Sequence, residues 1–251
     1  MGIFRNSVVL LLLWALVSAP ARAGEFVVNP IRLELGAQAR SGVITVRNEG
    51  KEKLNFELAA MEWTQDATGK DVYTDTPDLI FFPKIMAIEP GQEGLIRVGS
   101  RALIVPVEKT YRLFIEELPG VSAPKPAGSS ATINVLIRFG APVFVAPVKP
   151  SDSAEITAAT LARGVLSLSV KNTGNRHQIV EGIQLSGIDR AGNEVYALTV
   201  ADRYLLAGTT KSYTATIPAE QCARIANLSI ELKTDKFGVK RKLDIDRAMC
   251  S

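Results

Sequence analysis

Histidine is almost missing from this chain, with His177 the only one in 251 residues, and cysteine is limited to Cys222 and Cys250. One histidine and two distant cysteines make a poor metal shell, so neither a metal nor a cofactor is expected. His177 closes the turn that begins at Thr173 and reads as a solvated loop residue, with no second histidine to share a catalytic or metal-binding task. There is no Gly-x-Ser-x-Gly elbow, no His-Glu-x-x-His and no glycine-rich phosphate loop opening a helix, which removes the common hydrolase, zinc-protease and nucleotide signatures. The chain is read as non-enzymatic.

Charge of one sign is also lacking. The chain carries 29 basic and 26 acidic side chains, and setting aside Arg5 and Arg22 with the N-terminal segment discussed next leaves 27 against 26. That balance excludes a nucleic-acid role, which needs a basic footprint. Paired carboxylates occur at Glu116 with Glu117 and at Asp244 with Asp246. Neighbouring strand residues point to opposite faces, so the first pair cannot act together on one bond. The second pair, set among Arg241, Lys242 and Arg247, reads as surface ion pairs.

Long apolar runs are confined to the start. Arg5 supplies a charged beginning, Val8 to Val17 is an uncharged run, and Ala21-Arg22-Ala23 fits a small-x-small cleavage site. The run is short of the roughly 20 residues a bilayer span wants, so residues 1–23 read as a secretory leader cleaved after Ala23, and the product as exported and not membrane-embedded. In an exported chain two cysteines most simply pair. A Cys222–Cys250 bridge would stabilise the C-terminal half by roughly 3 to 4 kcal/mol through loop closure.

What the chain does have, from Phe26 onward, is period-two alternation in short β-rich runs separated by turn residues, without sustained helical spacing. Val43 to Arg47 ends at Asn48-Glu-Gly50; Leu54 to Leu58 runs on to Met61 and Trp63; Ile85 to Ile88, Gly94 to Val98 and Tyr111 to Pro119 follow. After the stiff joint Pro147-Val-Lys-Pro150 the arrangement returns. Gly164 to Val170 ends at Asn172-Thr-Gly174, and Ile179 to Leu185, Tyr204 to Leu206, Lys211 to Ile217 and Leu228 to Lys233 supply further strands. The spacing predicts an all-β protein of two β-sandwich domains, 24–147 and 152–251. The likeness of Val46 to Gly50 and Val170 to Gly174 fits either duplication or common turn chemistry.

One alternating run stands out. Ile133, Val135 and Ile137 follow the loose Pro- and Ser-containing stretch Val121 to Ser130 and lead into Arg138-Phe-Gly-Ala-Pro142-Val-Phe-Val-Ala-Pro147. With the leader, the two sandwiches, Asn29-Pro-Ile-Arg32-Leu-Glu-Leu35 and Tyr111-Arg-Leu-Phe-Ile-Glu-Glu-Leu-Pro119, the chain resembles the periplasmic pilus-assembly chaperones of the chaperone-usher pathway, PapD-like proteins, in a divergent or archaic form.

That resemblance implies two immunoglobulin-like domains in an L-shaped arrangement, a periplasmic location, and pilin subunits and an outer-membrane usher as partners. It implies that Ile133, Val135 and Ile137 fill alternate pockets of an incomplete pilin while Thr132 to Phe139 completes its sheet. In the same way Arg32 matches the arginine that anchors the subunit's terminal carboxylate, whereas Pro142 stands where a lysine is expected; Arg112 and Arg138 are the candidates to replace it. Asn134, Leu136 and Arg138 would face the chaperone's own core or the rim of its cleft. Self-capping of the lent strand by association of two free copies is left open. So are two other readings: a secreted fimbrial subunit or adhesin, which should lack a strand and carry an N-terminal donor extension, and an exported carbohydrate-active enzyme, which should have an aromatic-lined acidic cleft.

Overall fold

A computed structural model describes residues 26–66, 68–102, 104–119 and 135–250. The first sandwich is built from β1 (Phe26–Asn29), β2 (Leu33–Leu35), β3 (Ser41–Asn48), β4 (Leu54–Gln65), β5 (Asp71–Asp75), β6 (Leu79–Phe82), β7 (Ile85–Ile88), β8 (Glu93–Ser100), β9 (Lys109–Leu118) and β10 (Arg138–Val145). One sheet runs β1-β3-β8-β6; the other runs β2-β10-β9-β4-β5, with β7 also on β4. Period-two alternation sends one face of each strand inward. Ile44 and Val46 of β3, Ile96 and Val98 of β8, Leu54, Phe56 and Leu58 of β4, and Tyr111, Leu113 and Ile115 of β9 meet in one core. Each such side chain fully withdrawn from water stabilises the fold by roughly 1.5 to 3 kcal/mol before ordering costs.

The second sandwich comprises β11 (Ala154–Ala162), β12 (Val165–Asn172), β13 (Gln178–Ile188), β14 (Glu194–Val200), β15 (Tyr204–Leu205), β16 (Thr210–Thr216), α1 (Ala219–Cys222), β17 (Asn227–Thr234) and β18 (Gly238–Asp244). Its sheets run β11-β12-β16 and β14-β13-β17-β18, with β15 also on β13, around a separate core. The expected bridge is present: Cys222, buried at the end of α1, is bonded to Cys250, with the two Cα atoms 5.7 Å apart.

The two sandwiches repeat one plan, and the likeness of their turns extends well beyond the turn. Asn48 and Asn172 are both fully buried strand ends. Asn48 Nδ2 donates to Ile88 O at the end of β7, and Asn172 Nδ2 donates to Leu205 O at the end of β15. Each Oδ1 accepts from the glycine two residues on, Gly50 or Gly174. Each amide thus ties its own sheet to the facing one, at topologically equivalent places. Gly174 is also required by space, since a Cβ there would lie 2.4 Å from Ser151 O.

Candidate functional site

The outer face of the larger sheet is laid out by register. On β9 the inward phase of Tyr111, Leu113 and Ile115 leaves Thr110, Arg112, Phe114 and Glu116 outside. On β10 Ala141, Val143 and Val145 point inward, so Arg138, Gly140, Pro142 and Phe144 share the outer face. Arg112 is the ladder partner of Pro142, and Val143 is the partner of Leu33. Arg32, immediately before Leu33, therefore comes up beside Pro142 from the other side. The two arginines flank the proline across three adjacent strands.

Their surroundings differ. The Arg112 guanidinium lies over the Trp63 ring, 3.9 Å from its centroid, and Nη1 donates to Gly140 O at 3.0 Å. Arg32 is half-exposed, with Nη2 3.7 Å from Glu34 Oε1. Arg138 belongs to a different row: it pairs with Glu116, Nε to Oε2 3.1 Å, and covers the Phe114 ring at 4.0 Å. Tyr73 packs edge-on against the same Phe114. Its hydroxyl pKa is raised by burial and by the charge of Asp71, with Arg112 pulling the other way.

Trp63 and Phe144, both on the outer face, form with Tyr204 and Leu206 a small buried cluster joining the two sandwiches. Gln65 reinforces it, donating to Tyr204 O and accepting from Leu206 N. His177 corrects the reading from sequence. It is buried, stacked on Phe144 with centroids 3.7 Å apart, and bound to the buried Glu108. Its turn faces the first sandwich instead of solvent, and its carboxylate partner lies 69 residues earlier, out of range of any local pattern.

The expected surface ion pairs around Asp244 and Asp246 are a second correction. Asp244 accepts from Asn227, Asp246 caps Ala248 N, and Arg241 reaches across the sandwich to Ile156 O. No group of metal-ligating side chains occurs among the described residues.

Of the run expected to be lent, Ile133 lies outside the described residues, as do Thr132 and Asn134. The strand proper begins at Arg138, so Val135 to Ile137 leads into β10 and is not part of it. The last ladder contact is Glu117 N donating to Ile137 O at 3.0 Å. By phase, Ile137 and Val135 continue the core face of β10, through Phe139, Ala141 and Val143, whereas Arg138 takes the outer face over Phe114. Ile137 is half-buried, and Val135 is 75% exposed, beyond the sandwich's own core.

Residues 25–151 match the family described as pili and flagellar-assembly chaperone, PapD N-terminal domain. The chain belongs to that family of assembly chaperones. No curated protein matches its sequence. Among solved structures, this chaperone is similar to the YadV chaperone at 12% identity and TM-score 0.58, covering 88% of this chain and 100% of that one. It is similar to the CsuC–CsuE chaperone–tip adhesion subunit pre-assembly complex from archaic chaperone-usher Csu pili of Acinetobacter baumannii at 17% identity and TM-score 0.56, covering 87% and 98%. The class 5 fimbriae chaperone CfaA aligns at 17% identity and TM-score 0.55, covering 86% and 98%. At these identities the structural likeness shows the fold, a pair of β-sandwiches, and the family match shows the kinship.

Proposed function

We propose that this chaperone works in the periplasm by lending the segment that enters β10 to an incomplete pilin subunit and passing the subunit to an outer-membrane usher. The observation that carries the reading is the apolar lead-in to β10, in which Ile137, tied to β9 through its carbonyl, is half-buried and Val135, two residues earlier, is exposed. A valine in water gains roughly 1.5 to 3 kcal/mol when fully buried in a partner's groove, before ordering costs. An unfinished pilin offers a groove and an unpaired edge, and a lent strand covers both. The energy for release comes from a better-fitting strand of the next subunit, so no nucleotide site is required.

The subunit's terminal carboxylate is assigned to the row Arg32–Pro142–Arg112. Proline offers no donor, and Arg112, its neighbour across the ladder, supplies the second cation. Planar guanidinium groups suit a carboxylate through paired, charge-assisted hydrogen bonds. Arg138, engaged with Glu116, sits along the lent segment and not at this row. A similar chaperone, CsuC, is seen in complex with the tip adhesion subunit CsuE, which supports a pilin-type partner.

Co-purification from periplasm, with the chain tagged and expressed beside the pilin subunits encoded next to it, tests the reading. A stoichiometric complex is expected from the wild type and none from a folded Val135→Asp variant. Undiminished pilin recovery by that variant would rule out donation through this face.

A further inference from the structure

We propose that Trp63, backed by Tyr204 from the second sandwich, is a positioning residue that fixes the Arg112 guanidinium for carboxylate recognition, so that the anchor works only while the two sandwiches are docked. The inference rests on the reading of Arg112 as carboxylate anchor and adds what holds it in place.

An arginine on an open strand face has several rotatable bonds and a planar fork of donors, and recognition of a carboxylate needs that fork held in one plane. Two contacts restrict it here. The ring quadrupole of Trp63 attracts the cation at 3.9 Å, and Gly140 O takes one Nη1 hydrogen. Arg112 Nε is buried without a partner among the described residues, so it adds no competing hydrogen bond. Gly140 contributes by lacking a side chain: a Cβ there would lie 3.1 Å from Phe114 Cε1 and 3.8 Å from Arg112 Cδ. The bare backbone is the bed on which the arginine lies.

Trp63 is itself fixed from the far side. It is fully buried, and the edge of Tyr204 meets it at 5.3 Å with planes 89° apart, while Phe144 packs at 6.0 Å. Tyr204 also stands 5.8 Å from the Arg112 guanidinium carbon. Gln65, two residues after Trp63 on β4, locks Tyr204 through its backbone oxygen. The wall behind the anchor therefore belongs to the other sandwich.

Trp14 lies in the leader expected to be cleaved after Ala23, so the exported chaperone keeps Trp63 as its single tryptophan, a fluorescent reporter beside the anchor. The probe is the pilin subunit encoded beside this chain, refolded onto the exported chaperone either with its native terminal carboxylate or amidated by peptide ligation. The wild type is expected to prefer the acid by about tenfold and to shift Trp63 emission with the acid more than with the amide. Affinities measured by competition should show that preference shrinking to less than about twofold in Trp63→Leu and Tyr204→Leu, and recovering in Trp63→Phe. An undiminished preference in folded Trp63→Leu, or an equal loss of affinity for both subunit forms, would overturn the inference. Should Trp63→Leu not fold, Tyr204→Leu and Trp63→Phe decide it by the same ratio. Arg112→Leu separates the two layers: if it keeps the acid preference, the anchor assignment fails; if it abolishes the preference while Tyr204→Leu does not, only the positioning role fails.

Discussion

Glu108 of the first sandwich and His177 of the second bind each other across their boundary, with His177 Nδ1 2.8 Å from Glu108 Oε1 and 3.0 Å from Oε2. The His177 backbone N–H donates to the same Oε1 at 2.8 Å, and the side chains are 7% and 2% exposed. A carboxylate this buried is costly to leave unpaired. Truncating either residue alone is expected to destabilise the protein by about 1 to 3 kcal/mol in denaturant unfolding. A double-mutant cycle with Glu108→Ala and His177→Ala should return a coupling of similar size. Strict additivity would mean that the sandwiches do not hold each other through this pair.

The row assignment separates arginines that look alike in sequence. Arg112→Ala is expected to weaken subunit capture about tenfold, the scale of a lost charge-assisted bond. Arg138→Ala should cost less than about threefold, because its surface pair with Glu116 is worth little. Capture assays on the two variants check this, and equal losses would place the carboxylate elsewhere.

Acid should destabilise the second sandwich through Asp152, which ties the start of that sandwich to Arg176, Gln178 and Lys236. Hydrogen bonds from Arg176 first, then from Gln178 and Lys236, hold its carboxyl well below the usual carboxylate range. A depressed folded pKa contributes stability above the unfolded value near about 3.9 and loses it as pH falls through and below that value. Urea midpoints measured from pH 5 to pH 3 are therefore expected to fall more steeply for the wild type than for Asp152→Asn. Parallel curves would contradict the linkage.

Much of the architecture was legible because alternation is a local signal. The strands around Val43, Leu54, Tyr111, Gly164 and Leu228 could be read from period two alone, and the Cys222–Cys250 pairing followed from cysteine scarcity. β5 escaped, since all five of its residues are exposed and no buried phase marks it. The junction escaped for a different reason. Glu108 and His177 look like ordinary polar loop residues until the chain brings them together. A signal was available in Trp63 and Phe144: each falls on the outward phase of a strand whose inward phase is already apolar. A large aromatic out of phase on a sandwich strand points to a second body packed there, here the turn carrying His177 and the strand carrying Tyr204. The arginine row was half legible, since Arg112 could be named as a neighbour of the lent segment, but its register with Pro142 required the ladder.

β10 is gripped at its C-terminal end on both faces, Val143 and Val145 by the core of its own sandwich and Phe144 by His177 of the next. Mechanically it is a cantilever. A load placed on the tip near Val135 is carried to a root that two domains clamp together, so a partner's groove can take hold of the tip without prying open the core that supports it.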